Sequence, residues 1–158
     1  MPHAPIAFQA QRGRFAMYEG FFGLTERPFS AAARVDRYYP AASIEHARQS
    51  LTRSIERADG FGIVVGPSGT GKSLLCHVLA EQLRRQFKVA HLSSGRLCSP
   101  RALLQAILYE LRLPYRNMSE GELRLSLVYH LEPSPDCPNG MLLIVDEAHS
   151  LPVRLFEE

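Results

Sequence analysis

"GIVVGPSGTGKSLL", residues 62–75, is the stretch whose reading decides the fold. A short apolar run, Gly62 to Val65, leads into Gly66-Pro67-Ser68-Gly69-Thr70-Gly71-Lys72-Ser73, which satisfies G-x-x-x-x-G-K-[ST] in full. The run is fit for a buried strand, and the residues behind the loop predict a helix from Lys72 to Phe87. The spacing has a physical reason. A chain that leaves a strand, curls around a phosphate and enters a helix needs the backbone angles and close approaches that Gly66, Gly69 and Gly71 permit. The amides of Gly69 to Ser73 then converge on a phosphate, and the helix start adds partial positive charge. The candidate nucleotide-binding residues are therefore Gly66, Pro67, Ser68, Gly69, Thr70, Gly71, Lys72, Ser73 and Leu74. Lys72 is placed to reach the β- and γ-phosphates, and the Ser73 hydroxyl to bind Mg²⁺. A glycine-rich turn can match eight positions by chance, but here the flanking run and helix supply the expected context. The loop by itself does not separate ATP from GTP.

A second motif answers the first. "MLLIVDEAH", residues 141–149, is an apolar strand that delivers Asp146 at its carboxyl end, where parallel sheets hold their ligands. Asp146 is the candidate for the Mg²⁺ shell, through water. Glu147 is placed to polarise an attacking water as general base. Lys72 and Glu147 are thus the candidate catalytic residues, and Ser73 and Asp146 the candidate metal ligands. A solvated acidic turn after a core strand is the bland alternative, and the loop upstream argues against it. No N-K-x-D base reader of the GTPase kind is present, so ATP is the favoured nucleotide. The string "DEAH" also names a helicase class, but only this one of that class's motifs is visible. His149 reads as an ordinary helix-start histidine, with a contact to the γ-phosphate side or to a neighbour as the sharper alternative.

Composition bounds the rest. At 158 residues the chain holds one domain at most. Its 46% apolar and 22% charged residues suit a globular protein. A net charge of +2 neither argues for a nucleic-acid partner nor excludes one. Cys76, Cys98 and Cys137 are far apart, with no CxxC pair, which points to a reducing compartment and inert thiols, not to zinc. No stretch suits a secretory leader or a membrane span, so the expectation is a soluble, cytoplasmic chain.

Elsewhere the pattern is of helices and strands in alternation. Ser43 is a candidate cap for a helix carrying Ile44, Ala47, Leu51 and Ile55, with Gly60 ending it. "KVAHL", residues 88–92, reads as a second strand. Ser99-Pro100 opens a helix with an apolar stripe of Leu103, Leu104, Ile107, Leu108 and Leu111. Ser119 and Glu122 fit a capping box ahead of Leu123, Leu127, Val128 and Leu131. Residues 132–140 read as a loop before the third strand, 141–145. This alternation predicts an α/β fold with a parallel sheet.

Taken together, "MYEGFFGLTERPFS" (residues 17–30), the helix over 43–58, the phosphate loop and "LLIVDEAHSL" (residues 142–151) resemble the ExeA-like AAA+ ATPases, also called general secretion pathway protein A-like. The similarity covers residues 17–158. It implies a three-layer P-loop NTPase sandwich, ATP and Mg²⁺, ATP hydrolysis, self-association, and work in secretion or pilus-type assembly at the bacterial envelope. A related TniB-like branch serves DNA transposition, which keeps a DNA-associated ATPase as the alternative; a non-hydrolysing nucleotide-binding fragment is a third. The family often has Thr at position 73 and Gln at position 149. Phe22, Pro28 and Tyr39 are weak candidates for an adenine pocket, because the family's segment before the sheet packs near the base. The resemblance divides the chain into a disordered extension over 1–16, a linker over 17–42, with Met17 a possible start, and a partial ATP-binding domain over 43–158. Only the first three of the family's core strands are expected here. The strand ending in the phosphate loop would then lack sheet neighbours, leaving its backbone groups without ladder partners. The sensor strand, arginine finger and helical lid are not among these residues.

Overall fold

The computed structural model describes residues 20–24, 33–93, 97–132 and 139–156. The expected extension at 1–16, Met17, Pro28, Cys137 and most of the 132–140 loop lie outside the described residues. The chain divides into two units, residues 1–32 and 33–158. In the first, the described residues form a turn closed by the Gly23 amide on Gly20 O at 3.4 Å. The rings of Phe21 and Phe22 meet edge to face there at 5.0 Å.

Among the described residues, the second unit holds four α-helices and a two-stranded sheet. In chain order these are α1 (Ala42–Glu56), α2 (Lys72–Leu83), β1 (Lys88–Leu92), α3 (Pro100–Glu110), α4 (Glu120–Leu131) and β2 (Met141–Val145). The strands run parallel, with Lys88 opposite Met141 and Leu92 opposite Val145. Alternation along each strand sends side chains to opposite faces. Leu142 and Ile144 pack on Leu75, Leu79 and Leu83 of α2, with Ile44, Ala47, Leu51 and Ile55 of α1 beside them. Ala90, Leu92, Met141 and Val145 pack on the other side with Leu103 and Ile107 of α3 and Leu127 of α4. Helices therefore cover both faces, in the expected three layers, and the two helix periodicities supply the two apolar faces the sheet needs.

Caps explain where the helices begin. Ser99 Oγ accepts the Ala102 amide at 3.2 Å, with Pro100 in the first turn of α3. Ser119 and Glu122 form the expected box at the start of α4, the Ser119 amide donating to Glu122 Oε2 at 2.6 Å. α1 departs from expectation at both ends. It starts after Ala41, one residue ahead of the expected cap, and has no side-chain cap, so Ser43 lies inside its first turn. It ends before Gly60. Ala58 takes the left-handed position (φ 54°), and the amides of Ala58 and Asp59 close on Ile55 O and Ser54 O. That is a complete Schellman closure with alanine where glycine is usual. α2 stops at Leu83, where the Gln86 and Phe87 amides both turn back to Leu83 O, and Phe87 packs on the cluster instead of extending the helix. On α4 Leu123 is fully buried, but Val128 points outward at 62% exposure.

The expected first strand does not form. Residues 61–67 carry no regular structure, and among the described residues β1 pairs with β2 alone. Among the described residues, nothing hydrogen-bonds to Gly62–Val65 as a ladder neighbour. Backbone groups without partners stay in water, so Ile63 is 73% and Val65 90% exposed. The segment still lies close to α1: a Cβ on Gly62 would come within 2.8 Å of Leu51 Cδ2.

Candidate functional site

The loop after this segment curls as its glycines allow. Gly69 and Gly71 have φ of 79° and 91°, angles that residues with a side chain adopt only under strain. Gly71 caps α2, and Ile44 of α1 sits 3.9 Å from where its Cβ would be. Inside the loop Thr70 Oγ1 donates to Pro67 O at 2.9 Å. The Lys72 ammonium folds back over the loop, donating to Gly66 O at 2.9 Å and Pro67 O at 2.8 Å. The first amide of α2 with a backbone acceptor is Leu75, on Gly71 O at 2.9 Å. The amides ahead of it, from Gly69 to Leu74, have no backbone acceptor among the described residues. They are the orphan donors of a helix start, the groups an anion takes up. Gly66 to Thr70 are exposed, whereas Leu75, one turn in, is buried at 1% exposure. The loop is thus open to solvent on one side and nailed to the core on the other.

Ser73 lies in the first turn of α2, and its carbonyl accepts a hydrogen bond from His77 Nδ1 at 2.9 Å. The His77 ring meets the His91 ring of β1 edge to face at 4.6 Å. His91 Nε2 is buried without a hydrogen-bond partner among the described residues. Burial, with His77 alongside, holds the His91 imidazole below its ordinary range, while Asp146 pulls the other way. Neither histidine was singled out from sequence. The signal for His77 was its spacing, four residues after Ser73 on one helix.

Asp146 continues the β1–β2 ladder by one bond, its amide donating to Leu92 O at 2.9 Å. Its carboxylate accepts the Glu147 amide at 2.9 Å. Its charge reaches α2: burial, reinforced by Asp146, pushes the Cys76 thiol up to about 11. A thiol held that high is inert at neutral pH, in keeping with the sequence reading. Leu142 and Ile144 of β2 pack on the α2 cluster of Leu75, Leu79 and Leu83, so the strand that ends at Asp146 lies beside the helix that carries the loop.

Glu147 occupies the left-handed region (φ 53°) and opens a short 3-10 turn over Ala148–Ser150. Its carbonyl accepts both the amide of Ser150 at 2.9 Å and its hydroxyl at 2.8 Å. Its Oε2 lies 3.2 Å from His149 Nδ1. Among the described residues, neither Asp146 nor Glu147 forms an ion pair with Lys72. The structure therefore brings the two motifs to neighbouring elements but leaves the loop lysine on loop carbonyls and the second acid on His149.

Among the described residues, no group of three or more His, Cys, Asp and Glu side chains could hold a metal. Mg²⁺ does not ask for one. It keeps several waters and uses one or two protein oxygens with nucleotide phosphates. Ser73 and Asp146 are the residues that would offer those two oxygens. For the base, Phe22 is 68% and Tyr39 80% exposed, and Tyr38 instead donates its hydroxyl to Glu45 at 3.2 Å. Among the described residues, no helix is long and apolar enough to cross a membrane.

With the geometry in view, relatives can be placed. A family model described as an AAA domain matches residues 55–158, a span that holds both motifs and runs from the last turn of α1 past β2. The chain is similar to General secretion pathway protein A of Aeromonas hydrophila, 33% identical over 138 residues. That match takes in 86% of this chain and 25% of the relative, so the chain spans about a quarter of that protein's length. No solved structure matches. The resemblance read from the motifs is borne out by both likenesses.

Proposed function

This chain belongs to the AAA domain family, and from that premise we propose that it binds ATP with Mg²⁺ and that its module hydrolyses ATP to drive conformational work. The observation that carries the proposal is the pairing of two features. A loop of free amides caps α2, and Asp146 sits at the carboxyl end of β2 near that helix. In this reading Lys72 leaves Gly66 O and Pro67 O for the β- and γ-phosphates, exchanging neutral acceptors for charged ones. The amides of Gly69 to Leu74 bind the phosphate chain. Ser73 and Asp146 hold the magnesium ion, which when bound neutralises charge on the β- and γ-oxygens. Glu147 takes the proton of the attacking water. The likeness to General secretion pathway protein A supports a place in secretion; work in envelope assembly, a cytoplasmic position and self-association of the module belong to the same proposal. A DNA-transposition role has no observation of its own in its favour.

The test is binding of a fluorescent ATP analogue with and without Mg²⁺. Lys72→Ala should abolish binding, and Asp146→Asn should remove its Mg²⁺ dependence. Binding that survives Lys72→Ala would refute the assignment. A second reading, nucleotide binding without turnover in this chain, is favoured by one observation: among the described residues the segment leading into the loop is exposed and has no ladder neighbour, so no sheet holds the loop's entry. Phosphate release at background with intact binding separates it from the first. Release that is lost in Glu147→Gln favours the first.

A further inference from the structure

We propose that the outward face of α4 is a self-association surface, on which two copies of this chain pack their α4 helices antiparallel about a twofold axis at Leu125. This gives the self-association proposed above a definite face and rests on that reading, but not on nucleotide binding. α4 is apolar on two sides. Leu123 is fully buried, and Leu127 packs on the cluster of Ala90, Leu92 and Ile107. On the other side Leu125, Val128 and Tyr129 are 70%, 62% and 78% exposed. A helix with water along one side carries polar residues there. Single exposed apolar residues are ordinary, but three on successive turns make a strip that calls for a cover.

The spacing along the strip selects a second copy of itself. Gly121, Leu125 and Tyr129 recur every four residues, so they share one stripe of the helix. Among the described residues nothing lies within 4 Å of a Cβ built on Gly121, so the space above it is open to a partner. Gly121 and Tyr129 each lie four residues from Leu125. In an antiparallel pair centred on Leu125, the Tyr129 ring of one copy therefore covers Gly121 of the other, and symmetry makes the contact twice. The charges agree with this register. Glu120 and His130 each lie five residues from Leu125, which sets the acidic first turn of one helix beside the histidine in the last turn of the other. Glu120 is 3.7 Å from Arg124 of its own helix and half exposed, so its carboxylate can turn to accept from that imidazole. A parallel pair would instead set acid against acid and leave the space over Gly121 empty. α4 is about 18 Å long, and a strip on one such helix covers less than the roughly 800 Å² per partner of a standard interface. The dimer is therefore weak, and dilute samples are monomeric.

The test is sedimentation equilibrium of the full chain without nucleotide, from low micromolar to millimolar protein. Wild type should pass from monomer toward dimer across that range. Leu125→Asp sets two like charges on the axis and should weaken the dimer by about 10-fold or more. Gly121→Leu fills the space that Tyr129 of the second copy needs and should weaken it as well, with helix content by circular dichroism intact in both variants. Exchanging the large and small partners, Gly121→Tyr with Tyr129→Ala, should restore association toward wild type. An apolar strip without this register behaves otherwise, because Gly121→Leu adds apolar surface and tightens association; that result overturns the register. Association that both single variants leave unchanged overturns the α4 face and leaves self-association standing. A wild-type chain that stays monomeric throughout overturns the face and self-association together.

Discussion

Two buried leucines on α2 separate what holds the fold from what holds the loop. Leu75 is 1% and Leu83 0% exposed, and both belong to the cluster that joins α1, α2 and β2. Truncation to alanine removes three carbons from each. At about 0.8 kcal/mol per buried methylene the transfer loss alone is about 2.4 kcal/mol. A rigid cavity would take the cost toward about 5 kcal/mol. Here Ile44, Ala47, Leu51 and Ile55, which line the cluster from α1, are only partly buried and can close in. The expected loss is therefore about 2.5–3.5 kcal/mol at each site. In urea, with a slope of about 2 kcal/mol per molar, this moves the midpoint down by about 1–2 M. Leu125→Ala is the control: at 70% exposure on α4 it should stay within about 0.5 kcal/mol. The two core variants should then part in function. Leu75 lies one turn beyond Gly71 and its amide donates the first helical hydrogen bond after the loop, to Gly71 O, whereas Leu83 ends the helix. In buffer where both variants remain folded, only Leu75→Ala should weaken ATP-analogue binding. A loss below about 1 kcal/mol for Leu83→Ala, no greater than for Leu125→Ala, would refute the assignment of this cluster as the core. Equal binding by both core variants would refute the claim that the loop is held from α2.

Two further outcomes follow from the same structure. Ala58→Gly should stabilise the chain by about 1 kcal/mol in urea melts, because glycine takes the left-handed position after α1 without the Cβ clash; destabilisation would show that the closure is not formed. The Arg48 guanidinium, with the Gln49 amide and Tyr38 hydroxyl, holds the Glu45 carboxyl down from 4.5 to about 2. The unfolded chain takes up that proton more readily, so the contribution is present above pH 4.5 and lost as pH falls toward 2. Glu45→Gln should flatten the urea midpoint over that window, and a profile as steep as wild type would sink the assignment.

Local signals were legible wherever the physics is local. Ser99 and Ser119 cap their helices as their spacing foretold, because a cap needs only residues within one turn. Lys88–Leu92 and Met141–Val145 form over the expected residues, since each has the other as a ladder partner and a helix on either face. Gly62–Val65 has the same apolar look and fails as a strand. A strand is a property of pairs, and periodicity in one segment says nothing about its neighbours. α1 ends on Ala58 for a related reason: the closing bonds to Ser54 and Ile55 tolerate alanine, so the nearest glycine was a misleading stop signal. In the site, the motifs named the loop and the two acids. They could not foretell that Lys72 would rest on Gly66 and Pro67, or Glu147 on His149. Those contacts depend on rotamers chosen by geometry that no spacing encodes.

What anchors the loop is therefore the remaining question, and α1 answers more of it than the sheet does. Gly62, ahead of the loop, passes over Leu51, and Gly71, behind it, sits by Ile44. Both contacts are on α1, two turns apart. α1 is in turn tied to α2: Arg48 holds Glu45 through both carboxylate oxygens and donates to Gln82, which reaches back to Thr52 at 3.5 Å. Leu51 and Ile44 also share the buried cluster with Leu75, Leu79 and Leu83. The loop mouth is thus bracketed by one helix and capped onto a second, and those two helices share a core and a polar tie. A phosphate entering that mouth meets amides whose positions are fixed from below, by α2, and whose span is fixed from the side, by α1. The stretch from Phe61 to Val65 has no ladder neighbour among the described residues, so the contact of Gly62 with Leu51 of α1 holds it where a sheet would.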